Sequence, residues 1–160
     1  MDNKLKSRIT HTLFRLYYPF CYHIEKFRAV RMYRSGVKQC VKMYKEIGSP
    51  RVYLFYDTKH SVWAPMTYED NKKYKPSLKR MRTMGKVHGA GALNSVERMK
   101  ERSFYYTPSK WGALGSDEDK ALQTQKMQTW VDYYLLKLSE PMQKCRGYLQ
   151  EYHSTCRQPE

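Results

Sequence analysis

Acidic side chains are scarce in this sequence, and one long stretch has none. Residues 72–86, KKYKPSLKRMRTMGK, hold seven basic side chains and no carboxylate. They are Lys72, Lys73, Lys75, Lys79, Arg80, Arg82 and Lys86. Like charge at this density works against packing, so a counter-charge outside the segment is implied. Other absences narrow the class. The four cysteines, Cys21, Cys40, Cys145 and Cys156, form no CxxC pair, which excludes a dense disulfide framework and leaves a reducing cytoplasm as the expected setting. No apolar run reaches transmembrane length. The basic start at Lys4, Lys6 and Arg8 resembles the head of a signal peptide, but His11 and Arg15 interrupt the apolar stretch and no small-residue cleavage site follows. Walker-A, G-x-S-x-G and G-x-G-x-x-G patterns are missing, as are internal repeats and low-complexity tracts.

What is present is enough for a core. The chain has 160 residues, 41% hydrophobic and 14% aromatic, which predicts one folded domain over 1–153 with a frayed tail at 154–160. Its net charge is +15, and the excess is uneven. Residues 1–50 carry 11 basic and 3 acidic side chains, 51–70 carry 2 and 3, 71–103 carry 10 and 2, and 104–160 carry 7 and 7. Two basic blocks therefore flank a near-neutral segment.

Periodicity predicts an α+β fold: a helix-rich single domain with a small antiparallel sheet. Leu5, Ile9, Leu13 and Leu16 mark a helix over 3–18, which Pro19 should end or kink. A second helix over about 20–47 stops at Gly48-Ser49-Pro50. RVYLFYD (51–57) and VWAPMTY (62–68) read as a hairpin, with Pro65 restricting the second strand to an edge or a bulge. A short helix is expected from Ser77 to Met84, a loop over VHGAGALN, and another helix after Asn94 or Ser95. SFYYT (103–107) is a possible third strand. Ser116 and its following carboxylates open a helix bearing Met127, Trp130, Val131, Tyr134 and Leu138. The last helix begins at Glu140, with Met142, Cys145, Leu149 and Tyr152 on its face. The terminal helices are expected to cover one face of the sheet.

On a helical wheel, Val30, Tyr33, Val37, Cys40, Val41, Tyr44 and Ile47 occupy an arc of about 120°. Arg28, Arg31, Arg34, Lys38, Lys42 and Lys45 occupy the opposite arc. Helix faces exposed to solvent normally mix signs to avoid such repulsion. Phe20, Ile24 and Phe27 fall on this same basic side, so either the chain bends near Phe27, the favoured expectation, or that turn is buried all round. Gly36 is a second weak point. In the expected helix from Ser77, Lys79, Arg82 and Lys86 project together, away from Leu78, Met81 and Met84. Lys72, Lys73 and Lys75 form an extended lead-in, and Tyr74 is placed to stack on a base.

These patterns point to non-enzymatic nucleic-acid binding, mainly through phosphate contacts. The expected contacts are Arg28, Arg31, Arg34, Lys38, Lys72, Lys73, Tyr74, Lys75, Lys79, Arg80, Arg82 and Lys86. DNA against RNA stays open, and no cofactor, metal or catalytic group is expected. Two other readings compete. Asp57-Thr58-Lys59 has the D-x-K form used by some metal-dependent nucleases, with Glu46, Glu69 or Asp70 as second carboxylate. Asp at a turn is a sufficient explanation for it. A basic interaction or assembly protein, binding an acidic protein or an anionic membrane through the first helix, is the other. Cys21, His23, His153 and Cys156 could supply four zinc ligands, but their spacings match no finger, and ordinary unliganded residues are expected there.

Overall fold

The computed structural model describes residues 3–48, 50–73 and 95–155, with the side chains of 3–11, 14, 72 and 148–155 left aside. The expected helix over 77–84, the VHGAGALN loop and the end of the tail lie outside the described residues. The described fold is α+β, helix-rich with a three-stranded antiparallel sheet. Its elements are α1 (Asn3–Ile47), β1 (Val52–Asp57), β2 (Val62–Thr67), α2 (Tyr68–Lys73), α3 (Val96–Arg102), β3 (Tyr105–Tyr106), a 3₁₀ turn (Trp111–Ala113), α4 (Asp117–Leu135) and α5 (Glu140–Thr155). The chain divides into two compact units, one made of 1–30 and 131–160, the other of 31–130.

In the second unit the strand order is β2-β1-β3. β1 is the centre, and Val52 through Tyr56 are all buried. β2 is an edge strand, which is where Pro65 can sit opposite Leu54 without costing a ladder bond. β3 is brief, pairing Tyr53 with Tyr106 and Leu54 with Tyr105. Residues 31–47 of α1 bury Tyr33, Val37, Cys40 and Tyr44. Three contacts fix this part of the helix to the sheet region. The Tyr33 hydroxyl donates to the Phe104 carbonyl at 2.9 Å. The Cys40 thiol donates to the Val52 carbonyl at 3.5 Å. The Trp63 indole N–H donates to the Met32 carbonyl at 3.0 Å. Trp63, Tyr56, Phe104 and Trp130 interlock, with Trp63 and Trp130 ring centroids 4.5 Å apart. Edge and tilted contacts of this kind are the favourable aromatic geometries.

Gly36 has a use that periodicity does not reveal. A Cβ there would lie 2.6 Å from two carbons of the Trp63 indole, so the missing side chain lets the indole rest on the helix backbone. Ser95 caps α3 by accepting from the Arg98 N–H at 3.2 Å, and Ser116 caps α4 by accepting from the Asp119 N–H at 3.2 Å. At the far end of α3, the Lys126 ammonium donates to the carbonyls of Lys100 and Glu101, each at 2.9 Å. A cation there complements the negative end of the helix.

Several expectations need correction. Pro19 does not end the first helix: α1 runs from Asn3 to Ile47 with Pro19 inside it. Proline removes one backbone donor, and burial of Tyr22 three residues on supplies the packing that carries the helix past it. Lys72 and Lys73 are helical, in α2, rather than extended. The Thr67 hydroxyl accepts from the Asp70 N–H and the Asp70 carboxylate accepts from the Thr67 N–H, a reciprocal cap that starts α2 directly after the strand. Leu138 lies beyond the end of α4, and Ile47 is exposed. The last helix continues to Thr155, two residues into the expected tail.

In the first unit, Tyr22, Ala29, Val131, Leu135, Met142 and Cys145 are buried. Glu25 accepts from the Tyr134 hydroxyl at 2.9 Å and from Arg28 at 2.7 Å. Arg146 pairs with Asp132 at 3.3 Å.

Candidate nucleic-acid interface

The burial of Tyr33, Val37, Cys40 and Tyr44 fixes which way the second unit's part of α1 faces. Arg31, Arg34, Lys38, Lys42 and Lys45 are consequently all exposed on the other side. Glu46 is the one acid among them, 4.0 Å from Lys42 on a well-exposed surface. Such a pair is worth little, so the row keeps most of its charge.

Beside this row lies a groove of about 400 Å³. Tyr33, Arg34, Val37 and Lys38 of α1 line one wall, and Lys120, Gln123, Thr124 and Met127 of α4 line the other. Three cations border it, and no carboxylate is among the lining residues. Lys120 is held only loosely, 3.7 Å from the exposed Asp117. A guanidinium next to two ammonium groups suits a phosphate, because Arg grips two oxygens in a fork while Lys acts as a mobile point charge. The Tyr33 phenol cannot join in as an anion: burial pushes its pKa far up, and its proton is committed to Phe104.

A second cleft, about 710 Å³, is lined by Arg51, Lys100, Lys110, Tyr106, Glu118 and Asp119 among others. Arg51 lies over the Tyr106 ring, 5.5 Å from its centroid. The signs here are mixed. Lys100 is paired with Glu97 at 3.1 Å. Asp119 is buried and accepts from the Tyr105 hydroxyl at 2.8 Å, the Gly115 N–H at 2.8 Å and the Gln123 amide at 3.2 Å. Its carboxylate thus organises the start of α4. Burial first, then Asp119 itself, drives the Tyr105 phenol pKa far up, so the phenol stays a donor. Of the two cavities, the first is the better anion site.

The expected contact residues are distributed as follows. Arg31, Arg34 and Lys38 are brought together in the second unit, and Arg34 and Lys38 enter the groove. Arg28 belongs to the first unit, and its guanidinium is engaged by Glu25. Lys73 is exposed at the end of α2. Lys72 is helical, with its side chain outside the described set, and Tyr74, Lys75, Lys79, Arg80, Arg82 and Lys86 lie wholly outside the described residues. Sequence reasoning missed Lys120. Residues 104–160 balance to zero charge, which conceals a lysine that the fold places opposite Arg34 and Lys38.

Asp57 ends β1 and holds the hairpin turn. One carboxylate oxygen accepts from the Lys59 and His60 N–H groups at 2.9 and 3.2 Å, and the other meets the His60 ring at 2.8 Å. These bonds, the His60 ring foremost, hold its pKa below the usual carboxylate range. Among the described residues no three His, Cys, Asp or Glu side chains cluster as a metal site. The Cys156 end of the four-ligand combination lies outside the described residues.

Comparison with known proteins adds no relative: no family model, curated protein or solved structure matches the chain.

Proposed function

We propose that the protein is a non-enzymatic nucleic-acid-binding protein that grips phosphates through α1 of the second unit. The observation that carries this reading is the exposed row Arg31, Arg34, Lys38, Lys42 and Lys45 beside a groove whose opposite wall adds Lys120 and whose lining holds no acid. Successive charges stand about 4.5–6 Å apart along the helix axis, so several phosphates could be met by one helix face. The sequence block 72–86 is proposed to add further phosphate contacts, with Tyr74 stacking on a base.

Salt titration of binding to duplex DNA and to single-stranded RNA tests this. With about six phosphates gripped, log K should fall with log[salt] at a slope near about −5 for duplex DNA. Replacing Arg31, Arg34 and Lys38 together by Gln should weaken binding and make the slope shallower by up to about 2.7. No binding to any DNA or RNA at low salt would remove the proposal. Polyglutamate binding as tight as DNA would transfer it to an acidic protein partner.

A further inference from the structure

The second unit exposes one aromatic ring. Among its described residues Trp111 is the one Phe, Tyr or Trp at the surface, 48% exposed, whereas Trp63 is half-buried and Trp130 is buried. A lone exposed apolar side chain is ordinary. The setting of Trp111 is not. It opens the 3₁₀ turn, which is closed by the Ala113 N–H donating to the Lys110 carbonyl at 3.0 Å and the Leu114 N–H donating to the Trp111 carbonyl at 3.1 Å. Its ring lies against that of the buried Tyr44, with centroids 5.0 Å apart and planes inclined by 38°. The indole is therefore backed by a core residue while nearly half its surface stays open.

The period of α1 relates this ring to the groove. Val37 and Lys38 line the groove. Tyr44 and Lys45 repeat that pair seven residues on, so they project within about 20° of it, about 10 Å further along the helix. Lys45 is exposed, as is Lys110, the chain neighbour of Trp111. Glu46 lies about 160° round the helix from Tyr44. Trp111, seated on Tyr44, thus stands beyond the end of the groove, on the helix that supplies the cationic row. A strand whose phosphates lie on Arg34, Lys38 and Lys120 would carry its bases past this ring. An unpaired base offers a π-face for stacking on the indole, whatever its identity. In a duplex the bases are stacked on one another and closed to it.

We propose that Trp111 is a base-stacking platform and that the preferred ligand of this surface is single-stranded nucleic acid. The inference rests on the phosphate-gripping reading of α1 and adds the state of the strand. The test titrates the full chain with an oligothymidylate of about twelve nucleotides and with a duplex of the same length. The single strand should quench tryptophan emission and shield it from acrylamide, because Trp111 is the most open of the three indoles. The duplex should do neither. Trp111→Ala should bind the single strand about tenfold more weakly and the duplex as before, with the salt slope unchanged because no charge is lost. Trp111→Phe, which keeps a ring, should recover most of that loss. Should Trp111→Ala lose its circular-dichroism melting transition, acrylamide shielding of the unaltered protein decides. Three results would overturn the proposal: acrylamide access unchanged by the bound single strand, a folded Trp111→Ala that binds the single strand undiminished, or equal losses on single strand and duplex. Nucleic acid still binds in all three, so the phosphate-gripping reading would stand, whereas no binding to either ligand would remove both. Emission that becomes shielded on raising the protein concentration alone would give the ring to a second copy of the chain, which also overturns the proposal.

Discussion

Gly36 shows how one missing Cβ decides local energetics. Gly36→Ala would ordinarily favour a helix by about 1 kcal/mol. Here the new methyl would meet the Trp63 indole at 2.6 Å, and that ring is pinned by Met32 and its aromatic neighbours. Overpacking of this kind costs about 1–3 kcal/mol, so sterics should win and urea denaturation should show net destabilisation. Asp57 provides a second residue-level expectation. Asp57→Ala removes the acceptors that hold the hairpin turn, at a cost of about 1 kcal/mol near neutral pH, and should leave nucleic-acid affinity unchanged. Because its folded pKa is depressed, this contribution is present above the ordinary carboxylate pKa and is lost as pH falls through the folded one. The stability gap between the two proteins should therefore close in acid. Reproducible Mg²⁺-dependent cleavage, lost in Asp57→Ala, would instead make the carboxylate a catalytic group. Cysteine reactivity is a third case. Cys40 is fully buried and burial drives its thiol pKa far up, whereas Cys21 is half-buried. Alkylation of the native protein, followed by mass spectrometry, should label Cys21 well before Cys40.

At the level of elements, local chemistry was readable and long-range juxtaposition was not. The hairpin, the edge position forced by Pro65, and the caps at Ser95 and Ser116 each rest on residues within a few positions of each other. Pro19 misled because its cost is local, whereas the burial of Tyr22 that offsets it depends on the tertiary fold. The alternative to a bend near Phe27, a turn buried all round, assumed that large apolar residues must be covered. Phe20, Ile24 and Phe27 instead remain exposed. The basic face of α1 followed from its period, but the groove did not, since Lys120 is 82 residues from Lys38 in sequence. An element-level consequence is that Lys120→Gln should weaken nucleic-acid binding by a single phosphate contact, reducing the salt slope by about 0.9 without affecting the melting temperature.

Across the whole molecule the charge is partitioned. Residues 31–130 carry 20 basic and 9 acidic side chains, against 10 and 6 in the rest of the chain. Concentrating one sign in one compact unit costs self-repulsion, which counter-ions relieve. The melting temperature should therefore rise when salt or a polyanion such as heparin is added. A melting temperature that is flat in salt would mean that these cations are already neutralised within the fold.

The aromatic cluster of the second unit has an optical consequence. Trp63 and Trp130 lie 4.5 Å apart with ring planes inclined at 52°, within reach of Tyr56. Two indole transition dipoles held close and skewed couple as excitons and rotate polarised light with opposite signs on either side of their shared absorption. One indole comes from β2 and the other from α4, so the signal exists only when strand and helix are assembled. Trp130→Phe should abolish it while leaving the hairpin intact, which gives the second unit its own spectroscopic clock.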